Sequence, residues 1–331
     1  MGAYLSYAEQ ARHYFFDRPH EAPARSPLET PAGWRGPEVA GRDDWRSPLT
    51  AAQLEELERA LANARATGKP TGELTADDFP LPGLSGQIER WRNQLASGLG
   101  FQVVSGVPVE RWSQADAELF FWCLGLHMGK PGAQNPQGDL LGHVLDTGDD
   151  AADPFVRLYR TSSRIAYHCD AADVVGLLCL RKAKKGGASR IASSVAVYNE
   201  LLKRRPDLVD RLYEPFLLDI RNEDAAGAIR HLPIPPCRFA GGRLRTFFHS
   251  DYFRSVTRHA DVAPFSREES ALLDLYEQIA SSPELYFDMD LAPGDIQWLS
   301  NHTILHARTA YSDHARPERK RHLLRLWLSI E

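Results

Sequence analysis

Two segments whose histidines stand 138 residues apart constrain this chain most: Tyr167-His168-Cys169-Asp170 and Trp298-Leu299-Ser300-Asn301-His302-Thr303-Ile304-Leu305-His306. Residues two apart on an extended strand project from one face, so His168 and Asp170 can offer an imidazole nitrogen and a carboxylate oxygen to one metal ion. His306 is the candidate third ligand. A metal shared by all three would draw the two distant segments together.

Three ligands on one face of an octahedral metal leave three positions open, the arrangement non-haem Fe(II) oxygenases use to bind a co-substrate and dioxygen. A structural zinc site closes its shell instead. Spacing alone is weak, since H-x-D recurs at His249/Asp251 and His259/Asp261. Context selects His168: the apolar run from Val174 to Leu180 follows it, bounded by Lys184-Lys185-Gly186-Gly187, and reads as a strand buried on both faces and closed by a glycine turn. The other two pairs lack that frame and are assigned to loops or exposed faces.

A second signal lies at the C-terminal end, over Arg321 to Ile330. Period-two alternation puts Arg321, Leu323, Arg325 and Trp327 on one face and His322, Leu324, Leu326 and Leu328 on the other. The second face is core. The first is either a pocket wall, where a planar guanidinium would meet a carboxylate, or a solvated edge strand.

These residues resemble the taurine dioxygenase-like and clavaminate synthase-like Fe(II)/2-oxoglutarate-dependent oxygenases, over roughly residues 100–331. The likeness rests on His168/Asp170, the turn Gly186-Gly187-Ala188-Ser189, the segment from Pro293-Gly294-Asp295 through Asn301 to His306, and Arg321/Arg325, the first fifteen residues past His306. The resemblance implies that His168, Asp170 and His306 bind Fe(II), and that Arg321 pairs with the distal carboxylate of 2-oxoglutarate. By the same likeness the Ser189 hydroxyl helps hold that co-substrate, and Arg325 meets its other carboxylate or an anionic group of the substrate. With dioxygen, oxidative decarboxylation would give succinate, carbon dioxide and oxidation of a substrate C–H bond. Because Asp170 keeps its coordination position, hydroxylation, desaturation or ring formation is expected over halogenation. The implied fold is mainly β with helical decoration (α+β), a distorted double-stranded β-helix of jelly-roll, cupin-like form.

Composition narrows the field. The 331 residues are 43% hydrophobic and 25% charged, enough for one substantial core. A net charge of −5 argues against a nucleic-acid partner. No stretch reaches the roughly 20 apolar residues that span a bilayer, and Met1-Gly2-Ala3-Tyr4-Leu5 opens no secretory core, so a cytoplasmic protein is expected. Cys123, Cys169, Cys179 and Cys237 show no metal spacing and read as small reduced core residues. The expected partner is a small, anionic molecule, an amino-acid derivative or natural-product intermediate; a homo-oligomer is compatible with the sequence.

The expected organisation is one structural unit: residues 1–99 as an arm and helices packed on the barrel, and 100–331 as the catalytic core with a helical insert over about 193–281. Residues 1–50, rich in proline and arginine, read as an irregular arm. Helices are expected over Thr50–Lys69, Gln87–Ala96, Gln114–Met128, Val195–Arg205, Asp207–Tyr213 and Ser266–Ser281, and strands over Phe101–Val104, Leu285–Leu291 and Asp295–Leu299. Gly129–Asp153 has no clear period and reads as a long loop, part of which covers substrate, with Gln134 and Asn135 as candidate contacts. Asp173 could meet a substrate amine or make local hydrogen bonds, and Tyr167, Tyr159 and Trp298 could be core or substrate contacts. His302 lacks the spacing of His306 and is left beside the site or at the surface. Two rivals remain: a metal-dependent isomerase or hydrolase needing no 2-oxoglutarate, and a binding protein that has lost turnover.

Overall fold

The run Val174–Arg181 is apolar on both faces because it lies inside the molecule, with layers on each side. In the computed structural model, which describes residues 4–153, 155–221, 223 and 229–330, this strand is central to a seven-stranded sheet. Its order is Arg46–Pro48, Phe101–Ser105, Ile296–Ser300, Val174–Arg181, His322–Ser329 and Lys130–Gly132, with Gly142–Val144 also pairing with His322–Ser329. Only the first pair is parallel. A second, antiparallel sheet runs Tyr286–Met289, Ser189–Ser193, Ile304–Arg308 and Ile165–His168.

Alternation sorts each strand between layers. Val175, Leu177, Cys179, Leu323 and Trp327 join the apolar groups between the sheets, where Phe101, Ile191, Leu299 and Ile304 also pack. Val174, Leu178, Leu324, Leu326 and Leu328 turn outward under the helices Ala51–Ala66, Ser85–Ala96 and Gln114–Met128. The last of these is apolar nearly all round, as a helix pressed between a sheet and other helices must be. Helices Ser194–Arg204 and Arg267–Ala280 cover the outer face of the smaller sheet. The capping boxes at Thr50/Gln53 and Ser266/Glu269 set two of these helix starts where the sequence puts them.

Four expectations need correction. The arm is not irregular throughout: Tyr7–Phe15 is a helix, Gly36–Ala40 a short helix and Arg46–Pro48 an edge strand. In the helix Tyr7–Phe15, Gln10 is buried through hydrogen bonds, its amide donating to the Ala171 carbonyl at 3.1 Å. Residues 129–153 hold two three-residue strands, too short and too rich in glycine to show a period. Asp207–Tyr213 is not an α-helix but part of two 3₁₀ turns after Pro206. The insert is not purely helical: it carries hairpins Phe216–Asp219/His231–Ile234 and Cys237–Ala240/Arg243–Thr246. The second turns at Gly241-Gly242, both at positive φ, the conformation a tight two-residue hairpin needs.

The described residues contain no helix long and apolar enough to cross a membrane. Gly176 is a packing requirement: a Cβ there would stand 2.2 Å from the Trp298 ring, which itself packs on Phe121 at 5.5 Å between centroids. Gly176→Ala should therefore cost about 1–3 kcal/mol by overpacking. Urea unfolding should show a lower midpoint at unchanged slope; an unchanged midpoint would mean this interface is not tightly packed.

Candidate active site

Antiparallel pairing sets His306 directly across from His168, and His306 also faces Ile191 on its other side. Asp170 follows the end of its strand, and its position comes from the neighbouring turn: its backbone N–H donates to Asn301 Oδ1 at 3.0 Å, while the Asn301 N–H donates to the Asp173 carbonyl at 2.9 Å. One ligand atom from each of His168, Asp170 and His306 then lies within 4.8 Å of the others. His306 Nε2 stands 3.6 Å from Asp170 Oδ2, and the two imidazole rings are 4.1 Å apart.

The donor set fits a divalent cation. Nδ1 of His168 meets the Ala166 carbonyl at 3.0 Å, which fixes that nitrogen as the N–H and leaves Nε2 its lone pair. Burial pushes the His168 imidazole down to about 3, so it stays neutral. Burial alone would raise the Asp170 carboxyl, but the Arg325 guanidinium and the adjacent His306 outweigh it and keep it ionised. Asp170 Oδ2 is buried without a hydrogen-bond partner, an unmet cost that a cation would remove.

Beside this cluster is a cavity between the two sheets, lined by Ser189, Arg308, Arg321 and Arg325 among apolar Val175, Leu177, Leu291 and Leu323. The three arginines are only 6%, 7% and 7% exposed. Arg308 and Arg321 have no ion-pair partner among the described residues, and Arg321 Nη1 and Arg308 Nε and Nη1 are buried without hydrogen bonds. Burial, reinforced by Arg321, pushes the Arg308 guanidinium down to about 10, and burial lowers Arg321 too. Charges so placed are costly without an anion, so the cavity is built for one. Arg325 is differently held: it reaches Asp170 at 3.7 Å, donates from Nε to Gln134 Oε1 at 2.7 Å and lies over the Tyr159 ring.

Sequence candidates divide accordingly. Ser189 lines the cavity, with its hydroxyl donating to Gln297 Oε1 at 2.9 Å. Gln134 acts through Arg325, also donating to its carbonyl at 2.8 Å, while Asn135 closes a local turn with Asp139. Tyr167 is not a pocket residue: strand alternation turns it away from His168 into the outer core, where it is 3% exposed. Cys169 is also in that core, and burial pushes its thiol up to about 12. Asp173 does not face the cavity either. It is fully buried and bound by Arg18, His13, His302 and the Ile330 N–H, so it ties the arm to the C-terminal strand. That bond to Asp173, at 2.8 Å, also removes His302 from the ligand set.

Two residues near the site escaped the sequence reading. Arg308 stands two past His306, so the period that selected Asp170 beside His168 selects it as well. His249, assigned above to a loop or exposed face, instead pairs with His168 through an isolated bridge, its ring 5.1 Å from the His168 ring and its Nδ1 buried without a partner. His259 bonds to the buried Asp219 at 3.3 Å, and Asp261 pairs with Arg230 at the surface.

Comparison with known proteins gives the family. The family model "Taurine catabolism dioxygenase TauD, TfdA family" matches residues 64–327. FR-33289 synthase of Streptomyces rubellomurinus is 31% identical over 93% of this chain and 91% of its own length. Taurine hydroxylase-like protein SAT17 of Stachybotrys chartarum is 27% identical over 94% and 82%. Among solved structures, asparagine oxygenase in complex with Fe(II), 2S,3S-3-hydroxyasparagine and succinate has a TM-score of 0.68, covering 86% of this chain and 93% of its own at 15% identity. The non-heme iron oxygenase OrfP with Fe and alpha-ketoglutaric acid gives 0.64, covering 86% and 94% at 16% identity. At such identities the structural likeness is one of fold, and the fold is the jelly roll expected. The chain belongs to the taurine catabolism dioxygenase TauD, TfdA family, and is an Fe(II)- and 2-oxoglutarate-dependent dioxygenase.

Proposed function

We propose that this enzyme hydroxylates a C–H bond of a small anionic molecule, an amino-acid derivative or natural-product intermediate, with His168, Asp170 and His306 holding Fe(II) and Arg321 holding 2-oxoglutarate. The observation that carries the reading is the buried Arg321 guanidinium, without an ion-pair partner among the described residues, in a cavity bordered by the three ligand side chains. Iron, 2-oxoglutarate and dioxygen together supply the oxidant, with succinate and carbon dioxide as co-products.

The chain's own part is to bind, orient and keep water out. The Ala166 carbonyl holds the His168 ring, and Asn301 holds the Asp170 backbone, before anything binds. Arg321 meets the distal carboxylate of 2-oxoglutarate, and Arg308, anchored by one Nη to the Thr161 carbonyl at 2.7 Å, adds its charge beside it. Ser189 must turn its proton from Gln297 to donate to the same carboxylate. Arg325, held by Gln134 and Asp170, faces either the co-substrate's other end or an anionic group of the substrate. Val175, Leu177, Leu291 and Leu323 make the rest of the wall apolar. Amino-acid chemistry is in keeping with the 3-hydroxyasparagine and (3S)-hydroxy-L-Arg bound by the two structural neighbours. A reduced, cytoplasmic setting accords with four buried, unpaired cysteines.

Three outcomes test these assignments. Arg321→Ala should raise the KM for 2-oxoglutarate in a succinate-release assay by about 30-fold or more, the effect of stripping one partner from a buried charge pair; an unchanged KM would remove Arg321 from that role. His306→Ala should weaken Fe(II) binding in calorimetry by more than about 100-fold, beyond the loss seen for residues that only orient ligands. His302→Ala should leave the iron stoichiometry intact while lowering stability; loss of iron with His302 rather than His306 would reassign the third ligand.

A further inference from the structure

One cluster beside the metal ligands has no part in the assignments above. The His249 ring packs near His168, and Tyr252 stacks on His249 with centroids 3.8 Å apart. The Arg221 guanidinium lies over Tyr252 at 4.1 Å. None of the three lines the cavity of Arg308 and Arg321, so they stand on another side of His168.

Arg221 is unusual in two respects. It is the sole non-glycine with positive φ among the described residues, at 50°. Its backbone N–H is held there by Asp219 Oδ1 at 3.0 Å, and Asp219 is in turn fixed by Arg258, Ser255 and His259. A turn left-handed at a bulky residue is unfavourable, and a whole buried network is spent on keeping it. The side chain so presented has no carboxylate partner among the described residues. Its Nε is buried without a hydrogen bond, and Nη1 reaches only the Val156 carbonyl at 3.5 Å. The neighbouring Arg157, by contrast, is neutralised by Glu223, which Tyr7 also holds. Among the described residues, the unmatched charge of this pair is therefore that of Arg221.

We infer that Arg221, braced on Tyr252 and His249, receives a compact anionic group of the primary substrate, a carboxylate or phosphonate, and so sets which C–H bond reaches the metal. The inference rests on the proposed function and names a specificity residue for it. Substrate would then span from Arg221 along the Tyr252 and His249 rings to the metal-facing side of His168, outside the volume given to 2-oxoglutarate.

The test uses protein loaded with Mn(II) and saturated with 2-oxoglutarate, titrated with methylphosphonate followed by ³¹P line width and, separately, with acetate followed by its ¹H methyl line. Paramagnetic broadening reports only anions that dwell near the metal. Wild type should broaden at least one line saturably; which one distinguishes phosphonate from carboxylate. Arg221→Gln should weaken that binding by about tenfold or more, as loss of a charge-assisted contact implies, with Arg221→Lys between the two. Arg221→Gly, whose backbone suits φ of 50°, gives the same reading should the Gln variant fold poorly. 2-Oxoglutarate affinity by calorimetry should match wild type in all three. Saturable broadening that is unaltered at position 221, or absent for both anions with 2-oxoglutarate bound, overturns the subsite alone. Wild type that fails to bind 2-oxoglutarate overturns the underlying function.

Discussion

The register that sets His306 across from His168 is the constraint on which the rest depends. Side chains alternate along a strand, so a slip of one residue would send His306 to the outer core and bring Leu305 or Ala307 inward. The register is held from both sides, since the same strand pairs with Ser189–Ser193, and its next inward residue, Arg308, faces Ser189. One strand thus carries a proposed metal ligand and a cation of the cavity proposed for the co-substrate. The apolar alternation that buries Ile304 between the sheets and Leu305 outside them is what makes any other register expensive.

Electrostatics then divides the buried charges into two kinds. Asp173 is surrounded by Arg18, His13, His302 and a backbone N–H, all its partners being internal; it joins distant parts of the chain and has nothing left for a ligand. Arg321 and Arg308 are also buried, yet neither guanidinium pairs with a carboxylate among the described residues. An unpaired buried ion costs several kcal/mol, more than a surface ion pair could return. A site that binds a dianion repays that cost only when loaded. The same distinction separates Arg157, matched by Glu223, from Arg221, which has no carboxylate partner among the described residues.

The sequence was legible where local pattern coincides with chemistry. His168, Asp170 and His306 stand out because a short H-x-D leads into an uninterrupted apolar strand, and Arg321 and Arg325 because they alternate with Leu323 and Trp327. Arg308 was within reach of the same reasoning, two residues past His306. What could not be read depends on pairing across distance. His249 resembled a loop residue because its place is set by a bridge to His168, 81 positions away, and not by its neighbours. Asp173 and Tyr167 lie close in sequence to the ligands but turn elsewhere, one into an ion network and the other by strand alternation. The strands Lys130–Gly132 and Gly142–Val144 are too short for any period, and exist because the C-terminal strand offers them an edge.

Family membership removes the isomerase and hydrolase alternatives and leaves the identity of the site residues as the central claim. Its most direct measurement is anaerobic: Fe(II)-loaded protein titrated with 2-oxoglutarate, followed by the weak visible charge-transfer absorption that appears when the keto acid chelates iron. The account requires that band in wild type and its loss in His168→Ala that remains folded. Folded, iron-loaded wild type with no band, or a band that survives His168→Ala, would contradict it.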